Sequence, residues 1–322
     1  MERFQMKILV TGGGGFIGNY FIKGLLRLPI AEIYLASRNA DKALKGSAVK
    51  PVRLDLTGRL DLDISPDIVY HLAGEKKDVQ MMREVNVEGT RRILHWSARK
   101  GVKKFIFLSS VGVYGAPKDS GRVSEGFVRA PKNIYEETKN EAEQLVREFS
   151  AANRMPFTVL QPSNVIGIGT SGAYPLLGLI KAIKKGYFFF AGKGDAYFNY
   201  VSAEDVAASL LKAMDDVLDN KVFIINTPAG LRTAVKTISD ELGVPMPWKK
   251  IPDFIAGTAG ALASRLRSAT GIRVPFDSER YRELTNTTFY DGTAILKTGF
   301  SYPVGIETAL RTLVRHYRDK GL

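Results

Sequence analysis

A phenol and an ammonium lie four residues apart in the segment YEETK, at Tyr135 and Lys139. In a helix this spacing puts both side chains on one face. A free tyrosine titrates near about pH 10, and a nearby fixed cation favours its phenolate, so such a pair can exchange protons near neutral pH. Upstream, Ser109 and Ser110 end an apolar run in KFIFLSS and can hydrogen-bond a reacting oxygen. Taken alone, the Tyr-Lys spacing equally fits an ordinary pair on a surface helix.

Four consecutive glycines separate a short apolar run from a helix-like segment in VTGGGGFIGNY. Glycine permits a tight turn there, and the following helix presents unpaired N–H groups to a phosphate. One register of a dinucleotide site takes Gly13, Gly15 and Gly18 as GxGxxG. The other takes Gly12, Gly15 and Gly18 as GxxGxxG. A P-loop is excluded because no Gly-Lys-Ser/Thr follows.

The end of the second apolar run indicates which dinucleotide is bound. A NAD-binding unit usually carries an acidic residue about 20 residues after its glycines, where it bonds the adenosine ribose hydroxyls. In this chain that place, at the end of EIYLAS, is Ser37, followed by Arg38. A carboxylate would repel a 2′-phosphate, whereas a hydroxyl and a guanidinium accept one. We therefore predict NADP as the cofactor, with NAD as the alternative.

Short apolar runs indicate the elements that position these residues. Runs ended by Gly, Ser or Asp are typical of buried parallel strands, and they are KILVTG, EIYLAS, DIVYHLAG, KKFIFLSS and FTVLQPS. Segments with apolar residues three or four apart lie between them, such as NVEGTRRILHWSARKG and YEETKNEAEQLVREFSAANR. This alternation predicts an α/β fold, a Rossmann-type doubly wound parallel sheet.

The strand–helix alternation loosens after residue 167, where Gly, Pro and aromatic residues become more frequent. We predict a NAD(P)-binding Rossmann domain over residues 1–167 and 195–227. A smaller C-terminal substrate-binding domain is predicted over residues 168–194 and 228–322, above the carboxyl edge of the sheet.

Composition excludes several other classes of protein. None of the 322 residues is a cysteine, which excludes disulfides and thiolate chemistry, and the three scattered histidines argue against a metal site or a hydrolytic triad. No apolar stretch reaches the roughly 18 residues needed to span a bilayer, and the residues MERFQMKILV lack the apolar core and cleavage site typical of a secretory signal. We therefore expect a cytoplasmic protein without stable membrane insertion. The net charge of +13 comes with no RNA-binding motif, so we expect no nucleic-acid partner.

Together these segments resemble the extended short-chain dehydrogenase/reductase family, also called the NAD-dependent epimerase/dehydratase family. The matching segments occur in the family's order: TGGGGFIG (11–18), LDL (54–56), HLAG (71–74), NVEGT (86–90), SSVGVYG (109–115), YEETK (135–139), LQPSNVIGIG (160–169) and YVSAEDVA (200–207). The tail from Phe289 also looks like the family's C-terminal segment. The resemblance selects the Gly12 register and leaves Gly13 and Gly14 as spacers, expected to tolerate small side chains better than Gly15.

The resemblance implies a role for each matching residue. Tyr135 is the general acid/base, Lys139 lowers its pKa and holds the nicotinamide ribose, and Ser110 orients the substrate oxygen. Ser110 takes this role rather than Ser109 because it lies three residues before the valine of VYG. The implied chemistry is hydride transfer between the nicotinamide and a carbinol carbon. The predicted cofactor-binding residues are Gly12, Gly15, Phe16, Ile17, Gly18, Ser37, Arg38, Asp55, Leu56, Leu72, Ala73, Gly74, Ser109 and Pro162.

Three hypotheses for the activity remain. The sugar dehydratases of the family carry an Asp-Glu pair where this chain has Val111 and Gly112, so dehydration lacks its acid and base. Family reductases consume NADPH from solution, so Ser37 and Arg38 favour a NADP-preferring reductase or dehydrogenase acting on a secondary alcohol or ketone. A NAD-dependent nucleotide-sugar epimerase is the alternative. A dinucleotide-sensing regulatory protein is the third, and the complete Ser-Tyr-Lys set argues against it.

Two residues are expected to contact a small-molecule substrate. By the resemblance, Asn164 and Arg282 lie where nucleotide-sugar enzymes contact a diphosphate, but a further arginine of those enzymes falls at Phe198. The segment 251–270, apolar with basic ends, fits a lid over the substrate, a contact with a membrane surface, or a helix packed on its own domain. Dimerisation is common in the family, which implies a homodimer.

Overall fold

The computed structural model describes residues 6–29, 32–38, 49–115, 117, 121–169, 175–270 and 276–321. The strands are β1 (Lys7–Thr11), β2 (Glu32–Ser37), β3 (Val49–Arg53), β4 (Ile68–His71), β5 (Lys104–Leu108), β6 (Arg122–Val123), β7 (Phe157–Pro162), β8 (Asn164–Ile166), β9 (Phe190–Ala191), β10 (Tyr197–Phe198), β11 (Tyr200–Ser202), β12 (Lys221–Ile225), β13 (Ala229–Gly230), β14 (Lys250–Ile251) and β15 (Phe289–Tyr290). The α-helices are α1 (Phe16–Leu25), α2 (Val79–Arg83), α3 (Gly89–Arg99), α4 (Ile134–Ala152), α5 (Pro175–Lys184), α6 (Ala203–Lys212), α7 (Leu231–Leu242), α8 (Asp253–Thr270), α9 (Ser278–Thr285) and α10 (Gly305–Asp319). A π-helical turn spans Glu84–Glu88, and 3₁₀ turns span Val111–Tyr114, Asp216–Leu218 and Ala294–Thr298.

Seven of the described strands form one sheet, in the order β12-β7-β5-β4-β1-β2-β3. All six neighbouring pairs of this sheet run parallel. The chain moves outward from β1 to β3 and then returns to β4 on the other side of β1. The carboxyl ends of β1 and β4 therefore border the crevice where doubly wound sheets bind their ligands. The predicted α/β fold of Rossmann type is confirmed.

The two edge strands, β3 and β12, lie outside the five runs predicted as strands. β3 reads VKPVR, and most of its residues are exposed, so it lacks the continuous apolar character of a buried parallel strand. Its proline is tolerated because an edge strand leaves one row of N–H groups unpaired. β12 reads KVFII and pairs with β7 from Lys221 to Ile225.

Helices cover both faces of the sheet. α1 and α6 pack together on one face, where Phe21 and Ile22 share a core with Val206 and Leu210. On the other face, α3 and α4 bury apolar residues that include Trp96 and Val146. The 19-residue helix α4 is capped at its start by Asn133, whose side chain accepts a hydrogen bond from the Glu136 N–H. This three-layer arrangement fixes α4, and with it Tyr135 and Lys139, against the sheet.

A separate apolar core is built by the chain that follows β7. It joins α5, α7 and α10 through residues such as Ile180, Val235 and Leu310. The buried carboxylate of Asp205 on α6 accepts hydrogen bonds from the backbone N–H groups of Val304 and Gly305, each at 2.9 Å, and so holds the start of α10. The predicted substrate-binding domain over residues 168–194 and 228–322 remains a proposal, which this second core supports. Within the described residues, no helix is both long and apolar enough to cross a bilayer.

Candidate active site

The glycine turn after β1 has the geometry of the Gly12 register. The Gly15 N–H donates to the Gly12 carbonyl at 3.0 Å, and Gly12 has a φ of +70°, which L side chains rarely adopt. A Cβ atom at Gly12 would lie 2.6 Å from the Ala73 backbone nitrogen, and one at Gly18 would lie 2.5 Å from the Gly12 carbonyl oxygen. The turn is therefore pressed against the residues that follow β4, and glycine is required at both positions.

The expectation that both spacer glycines tolerate small side chains is wrong for Gly13. A Cβ atom there would lie 2.0 Å from Cδ1 of Leu35, a fully buried residue of β2, whereas one at Gly14 meets nothing within 4 Å. A Cβ atom at Gly15 would lie 3.1 Å from the Gly12 carbonyl oxygen, which is a milder conflict. Gly13 is needed for packing of the turn on the sheet, a contact that spacing alone does not reveal.

Alanine at Gly13 should therefore destabilise the protein, and alanine at Gly14 should not. Displacing the buried Leu35 side chain is expected to cost about 1–3 kcal/mol of unfolding free energy. Denaturant unfolding of Gly13→Ala beside Gly14→Ala measures this difference in one turn. Equal stabilities of the two variants would contradict the packing role of Gly13.

The start of α1 fits an anionic group. Its N-cap is Gly15, no side chain caps the helix, and its first turn carries no acidic residue. The first N–H groups of the helix are thus left for an external acceptor, and the helix dipole favours a negative one. With the glycine cradle, this observation shows that the residues present fit the pyrophosphate of a dinucleotide. Phe16 and Ile17 form the first turn, and Ile17 packs on the core while Phe16 meets the Tyr20 ring edge-on at 5.6 Å.

Basic residues gather at the carboxyl ends of β2 and β3, where the adenosine end of such a dinucleotide lies. Ser37 ends β2 opposite Arg53 of β3, and Arg38 follows it, exposed. The pKa of the Asp55 carboxyl is held below its usual range by hydrogen bonds from Thr57, with a smaller contribution from the charges of Arg38 and Arg53. The structure therefore brings Ser37, Arg38 and Asp55 together and adds Arg53, which sequence reasoning missed.

Other predicted cofactor residues occupy different environments. Leu56 is buried in the core beneath α3, and its carbonyl accepts from Arg92 at 2.7 Å, so its side chain is not part of the cleft surface. Leu72 and Ala73 are half-buried, Gly74 is exposed, and all three follow β4 beside the glycine turn. Pro162 is buried at the end of β7.

A buried histidine ties the glycine turn to the rest of the site. His71, the last residue of β4, contacts the Thr11 hydroxyl through Nδ1 at 2.7 Å and the Thr90 hydroxyl through Nε2 at 3.0 Å. The Thr90 hydroxyl donates to the Asn86 carbonyl at 2.6 Å, so it must accept from Nε2–H. Nδ1 then accepts from Thr11. Burial, with a smaller effect from the Lys139 charge, lowers the pKa of His71 to about 3, which keeps the ring neutral.

The same chain of hydrogen bonds reaches α4, which carries Tyr135 and Lys139. The Asn86 amide donates to the Thr138 hydroxyl at 3.0 Å and to the Glu75 carbonyl at 2.9 Å. Thr138 in turn donates to the carbonyl of Tyr135 at 3.0 Å. The end of β1, the end of β4 and the first turns of α4 are thus held in one buried network. Its role is to position Tyr135 relative to the glycine turn.

The neutral state of His71 predicts a pH dependence of stability. An unfolded histidine titrates near about 6.5, so below that pH the unfolded chain binds a proton that the folded chain excludes. This contribution to stability is complete above about pH 6.5 and falls by about 1.4 kcal/mol per pH unit towards the folded pKa of about 3. When the pH falls from 6.5 to 5, the unfolding free energy of His71→Gln should decrease by about 2 kcal/mol less than that of the natural chain. Parallel curves of unfolding free energy against pH would contradict a neutral His71.

Ser109 and Ser110 follow β5 in different environments. Ser110 is half-buried, and its hydroxyl oxygen accepts from the Gly112 N–H at 3.1 Å, which leaves its proton for an external oxygen. The Ser109 hydroxyl is buried, and no partner for it exists within the described part of the chain. Ser110 therefore has a hydroxyl proton to offer, and its role as the substrate-orienting residue stays a prediction.

Lys139 is buried on the inner face of α4. Its ammonium group donates to the Leu108 carbonyl at 2.6 Å and lies 4.2 Å from the centroid of the Phe107 ring. Burial lowers the pKa of Lys139 to about 7, against a smaller opposing effect of the Glu143 carboxylate. The residue is thus held at the end of β5, next to Ser109.

Tyr135 is half-buried in the first turn of α4. Burial raises the pKa of its phenol, and the neighbouring Glu136 carboxylate raises it further. The implied lowering of this pKa by Lys139 is absent from the structure, because Lys139 is turned towards the Leu108 carbonyl. A general-base role for Tyr135 therefore requires a further positive charge nearby, and the oxidised nicotinamide ring carries one.

The two predicted substrate residues lie on separate elements. Asn164 begins β8 with an exposed side chain, and Arg282 is exposed on α9. Phe198 is buried and stacks on Tyr200 with ring centroids 4.0 Å apart, so it belongs to the core of the second unit. The position at which related enzymes carry an arginine is therefore structural in this chain.

Comparison with known proteins identifies the family. The model of the NAD dependent epimerase/dehydratase family matches residues 8–226. The chain belongs to that family. Among curated relatives, this family member is 26% identical over 320 residues to the N-acetyl-α-D-glucosaminyl-diphospho-ditrans,octacis-undecaprenol 4-epimerase of Escherichia coli O157:H7. That match covers 95% of this chain and 94% of the relative.

Solved structures of the family share the fold. The UDP-glucuronic acid 4-epimerase from Bacillus cereus, in complex with NAD, superposes with a TM-score of 0.71 and 21% identity, covering 98% of this chain and 99% of that one. RMD from Pseudomonas aeruginosa, complexed with NADPH, gives a TM-score of 0.68 and 20% identity over the same shares. These two structural neighbours were thus solved with different dinucleotides, NAD in one and NADPH in the other. The resemblance found in the sequence is confirmed.

Sequence reasoning named the segments of the buried network without assigning its members. HLAG and NVEGT contain His71, Thr90 and Asn86, yet nothing in the spacing shows that these residues meet. The one hint in the sequence was the place of His71, a polar residue between an apolar strand and the small residues Ala73 and Gly74. Arg53 had a similar signal, because it directly precedes the LDL segment.

Proposed function

We propose that this protein is an epimerase that inverts a carbinol carbon of a diphosphate-linked sugar with a bound nicotinamide dinucleotide. The observation that carries the proposal is the match with the Escherichia coli 4-epimerase, which extends over almost the whole of both chains. It includes the C-terminal part, where substrate contacts are expected. Of the hypotheses drawn from the sequence, this supports the alternative, epimerisation, rather than net reduction.

In the proposed reaction, one group of residues binds the cofactor and another handles the proton of the sugar hydroxyl. The glycine turn and the start of α1 hold the pyrophosphate, and Ser37, Arg38 and Asp55 face the adenosine ribose. The bound nicotinamide supplies a reversible hydride acceptor. Tyr135 removes the proton from the sugar hydroxyl as the carbinol is oxidised and returns it as the carbonyl is reduced. Ser110 donates a hydrogen bond to the same oxygen, and Lys139 holds the nicotinamide ribose.

Epimerisation requires that the oxidised sugar present its other face before reduction. The hydride removed in the first half-reaction returns in the second, so no net oxidation occurs. Loss of water would compete if an acid and a base flanked the reacting carbons. Val111 is buried and Gly112 has no side chain, so the turn after Ser110 supplies neither. The site is therefore built for proton and hydride exchange at one carbon.

A specific observation favours a second candidate, a NADPH-consuming reductase. Arg38 and Arg53 lie at the adenosine end beside Ser37 and offer two guanidinium groups to a 2′-phosphate. The two candidates differ in the fate of the cofactor. An epimerase is expected to retain the dinucleotide through purification and many turnovers, whereas a reductase must exchange it after each one.

Cofactor preference can be measured on a variant of this end of the site. We expect Arg38→Ala to weaken NADPH binding by about 10- to 100-fold, the range of one charge-assisted hydrogen bond, and to leave NADH binding within about twofold. Calorimetry of both dinucleotides measures the affinities. Arg27→Ala, at the other end of α1, is the matched control. Equal losses for NADPH and NADH, or no loss, would remove Arg38 from the proposed 2′-phosphate site.

A further inference from the structure

An exposed apolar stripe runs along α8. Ile255, Ala259, Leu262 and Leu266 follow one another at intervals of four, three and four residues, which places them on one face of the helix. All four are exposed, and 60% of the Leu262 surface is open. Phe254, at the start of the helix and beside the stripe rather than on it, is 74% exposed. In a soluble helix such a stripe normally faces the core, so its position requires an explanation.

The opposite face of α8 explains why the stripe points outward. Ala256 and Gly260 are the buried residues of the helix, and a Cβ atom at Gly260 would lie 3.2 Å from the carbonyl oxygen of Asp277. Arg267 bonds the Asp277 carboxylate at 2.8 Å. Small residues thus allow α8 to approach α9 closely, and an ion pair near its end fixes its rotation. The apolar stripe is held away from the protein.

Aromatic residues extend the exposed surface beyond α8. Trp248 is 81% exposed and Tyr187 is 76% exposed. Both line a groove of about 440 Å³ together with Phe189 and Ile251. β14 forms one wall of this groove and leads through Pro252 directly into α8. We call the groove and the stripe together the α8 face.

The α8 face is bordered by cations. Lys184, Lys185, Lys249, Lys250 and Arg265 are exposed, and none of them takes part in an ion pair within the described ranges. Asp253, at the start of α8, accepts a hydrogen bond from the Tyr281 hydroxyl at 3.0 Å, on the side of α9. The α8 face is therefore apolar with a positively charged border. Its charge has the same sign as the net charge of the whole chain, +13.

We propose that the α8 face docks on the surface of an anionic membrane. Leucine, tryptophan and tyrosine beside lysine and arginine are the residues of helices that lie in the interface of a bilayer. The cations match the negative headgroups of anionic lipids, which attract lysine and arginine side chains close to the membrane surface. A second copy of the chain is a poorer occupant, because a twofold contact would bring the same cations against one another.

The α8 face is connected to the active-site side of the molecule. α9 is followed by Asn286, whose amide donates to the Pro117 carbonyl at 3.4 Å, in the segment after Ser110 and the VYG motif. The Asn286 carbonyl also accepts from the Tyr197 N–H at 3.0 Å. Docking would therefore place the substrate side of the protein near the bilayer, where a diphosphate sugar carried on a lipid is found. This last step alone rests on the proposed function, and membrane docking does not.

Vesicle sedimentation of the full chain tests the proposal. We expect binding to vesicles of phosphatidylcholine mixed with phosphatidylglycerol, and much weaker binding to phosphatidylcholine alone. The double variant Leu262→Ser with Leu266→Ser should bind the mixed vesicles at least about tenfold more weakly, because two leucines no longer enter the interface. Lys249→Glu with Lys250→Glu should weaken binding similarly and reduce its salt dependence. Val128→Ser, at an apolar position outside the α8 face that is more exposed than either leucine, is the control and should bind normally.

Two results would overturn the proposal. One is the absence of binding to mixed vesicles by the natural chain, or equal binding by the Leu262/Leu266 variant. The other is a natural dimer in sedimentation equilibrium that this variant converts to a monomer, which would make the α8 face a contact between copies. Because these readouts need no turnover, they are independent of the proposed reaction. Unchanged activity of the variants on a soluble nucleotide-linked sugar would show that the catalytic site is intact.

Discussion

Replacing Tyr135 with phenylalanine is expected to lower turnover by about 10²- to 10⁴-fold, the contribution of a positioned general acid/base. The phenol is the group on α4 that can move a proton at the sugar hydroxyl. Affinity for the dinucleotide should stay within about twofold, because in the proposed site the pyrophosphate is held by the glycine turn and the start of α1, away from the phenol. Steady-state rates and calorimetry on the same preparation measure both quantities.

The stability of this variant provides the control. Within the described chain, the Tyr135 hydroxyl has no hydrogen bond to another protein group, so its removal should change the unfolding free energy by less than about 1 kcal/mol. The backbone contact from Thr138 is retained in phenylalanine. Near-normal activity of Tyr135→Phe would remove the residue as the acid/base, and loss of cofactor binding would show a structural role instead.

Replacing Lys139 with methionine is expected to abolish turnover and at the same time stabilise the cofactor-free protein. The lysine pKa falls from an unfolded value near 10.5 to about 7, so burial of its charge opposes folding at every pH below the unfolded value. At pH 7, where the folded lysine is about half-protonated, this cost is about 4 kcal/mol of unfolding free energy by linkage. The variant leaves the buried Leu108 carbonyl without its hydrogen-bond donor, which lowers the unfolding free energy by about 1–3 kcal/mol. The net gain should be about 2 kcal/mol.

The pH dependence separates this cause from a simple packing effect. As pH rises from 7 to 9, the folded natural chain loses the charge of Lys139, and its unfolding free energy rises by about 2 kcal/mol relative to that of the methionine variant. The advantage of Lys139→Met should therefore shrink with rising pH. Denaturant unfolding at several pH values measures it. An advantage that does not change with pH, or a destabilised variant, would contradict the burial of a charged lysine.

Local features of the fold and site were predictable because they depend on neighbouring residues. The glycine turn, the five inner strands and the helical spacing of Tyr135 and Lys139 are all encoded within short segments. The edge strand β3 was missed because the polar residues Lys50 and Arg53 and the proline Pro51 give its sequence the composition of a loop. Gly13 was misjudged because its conflict is with Leu35, on the next strand.

Contacts between distant segments were not predictable from one sequence. In the buried network, His71 lies 60 residues from Thr11 and 19 residues from Thr90 along the chain. Asn86 continues the network to Thr138, which is 52 residues further on. Each link depends on how the sheet and α4 pack. The orientation of α8 is a similar case, because its apolar stripe predicts a buried face. The orientation of α8 depends instead on the small buried residues Ala256 and Gly260, which form no recognisable pattern in the sequence.

The central claim, that hydride leaves and returns to the same substrate carbon, can be tested with a labelled sugar. The protein as purified would receive a diphosphate-linked sugar carrying deuterium at the carbinol carbon that is inverted, without added dinucleotide. Epimerisation predicts conversion to the epimer with the deuterium retained at that carbon and no accumulation of reduced cofactor over many turnovers. A keto product formed in proportion to reduced dinucleotide, or turnover that requires a stoichiometric supply of NADP⁺ or NADPH, would contradict the epimerase and establish a dehydrogenase or reductase.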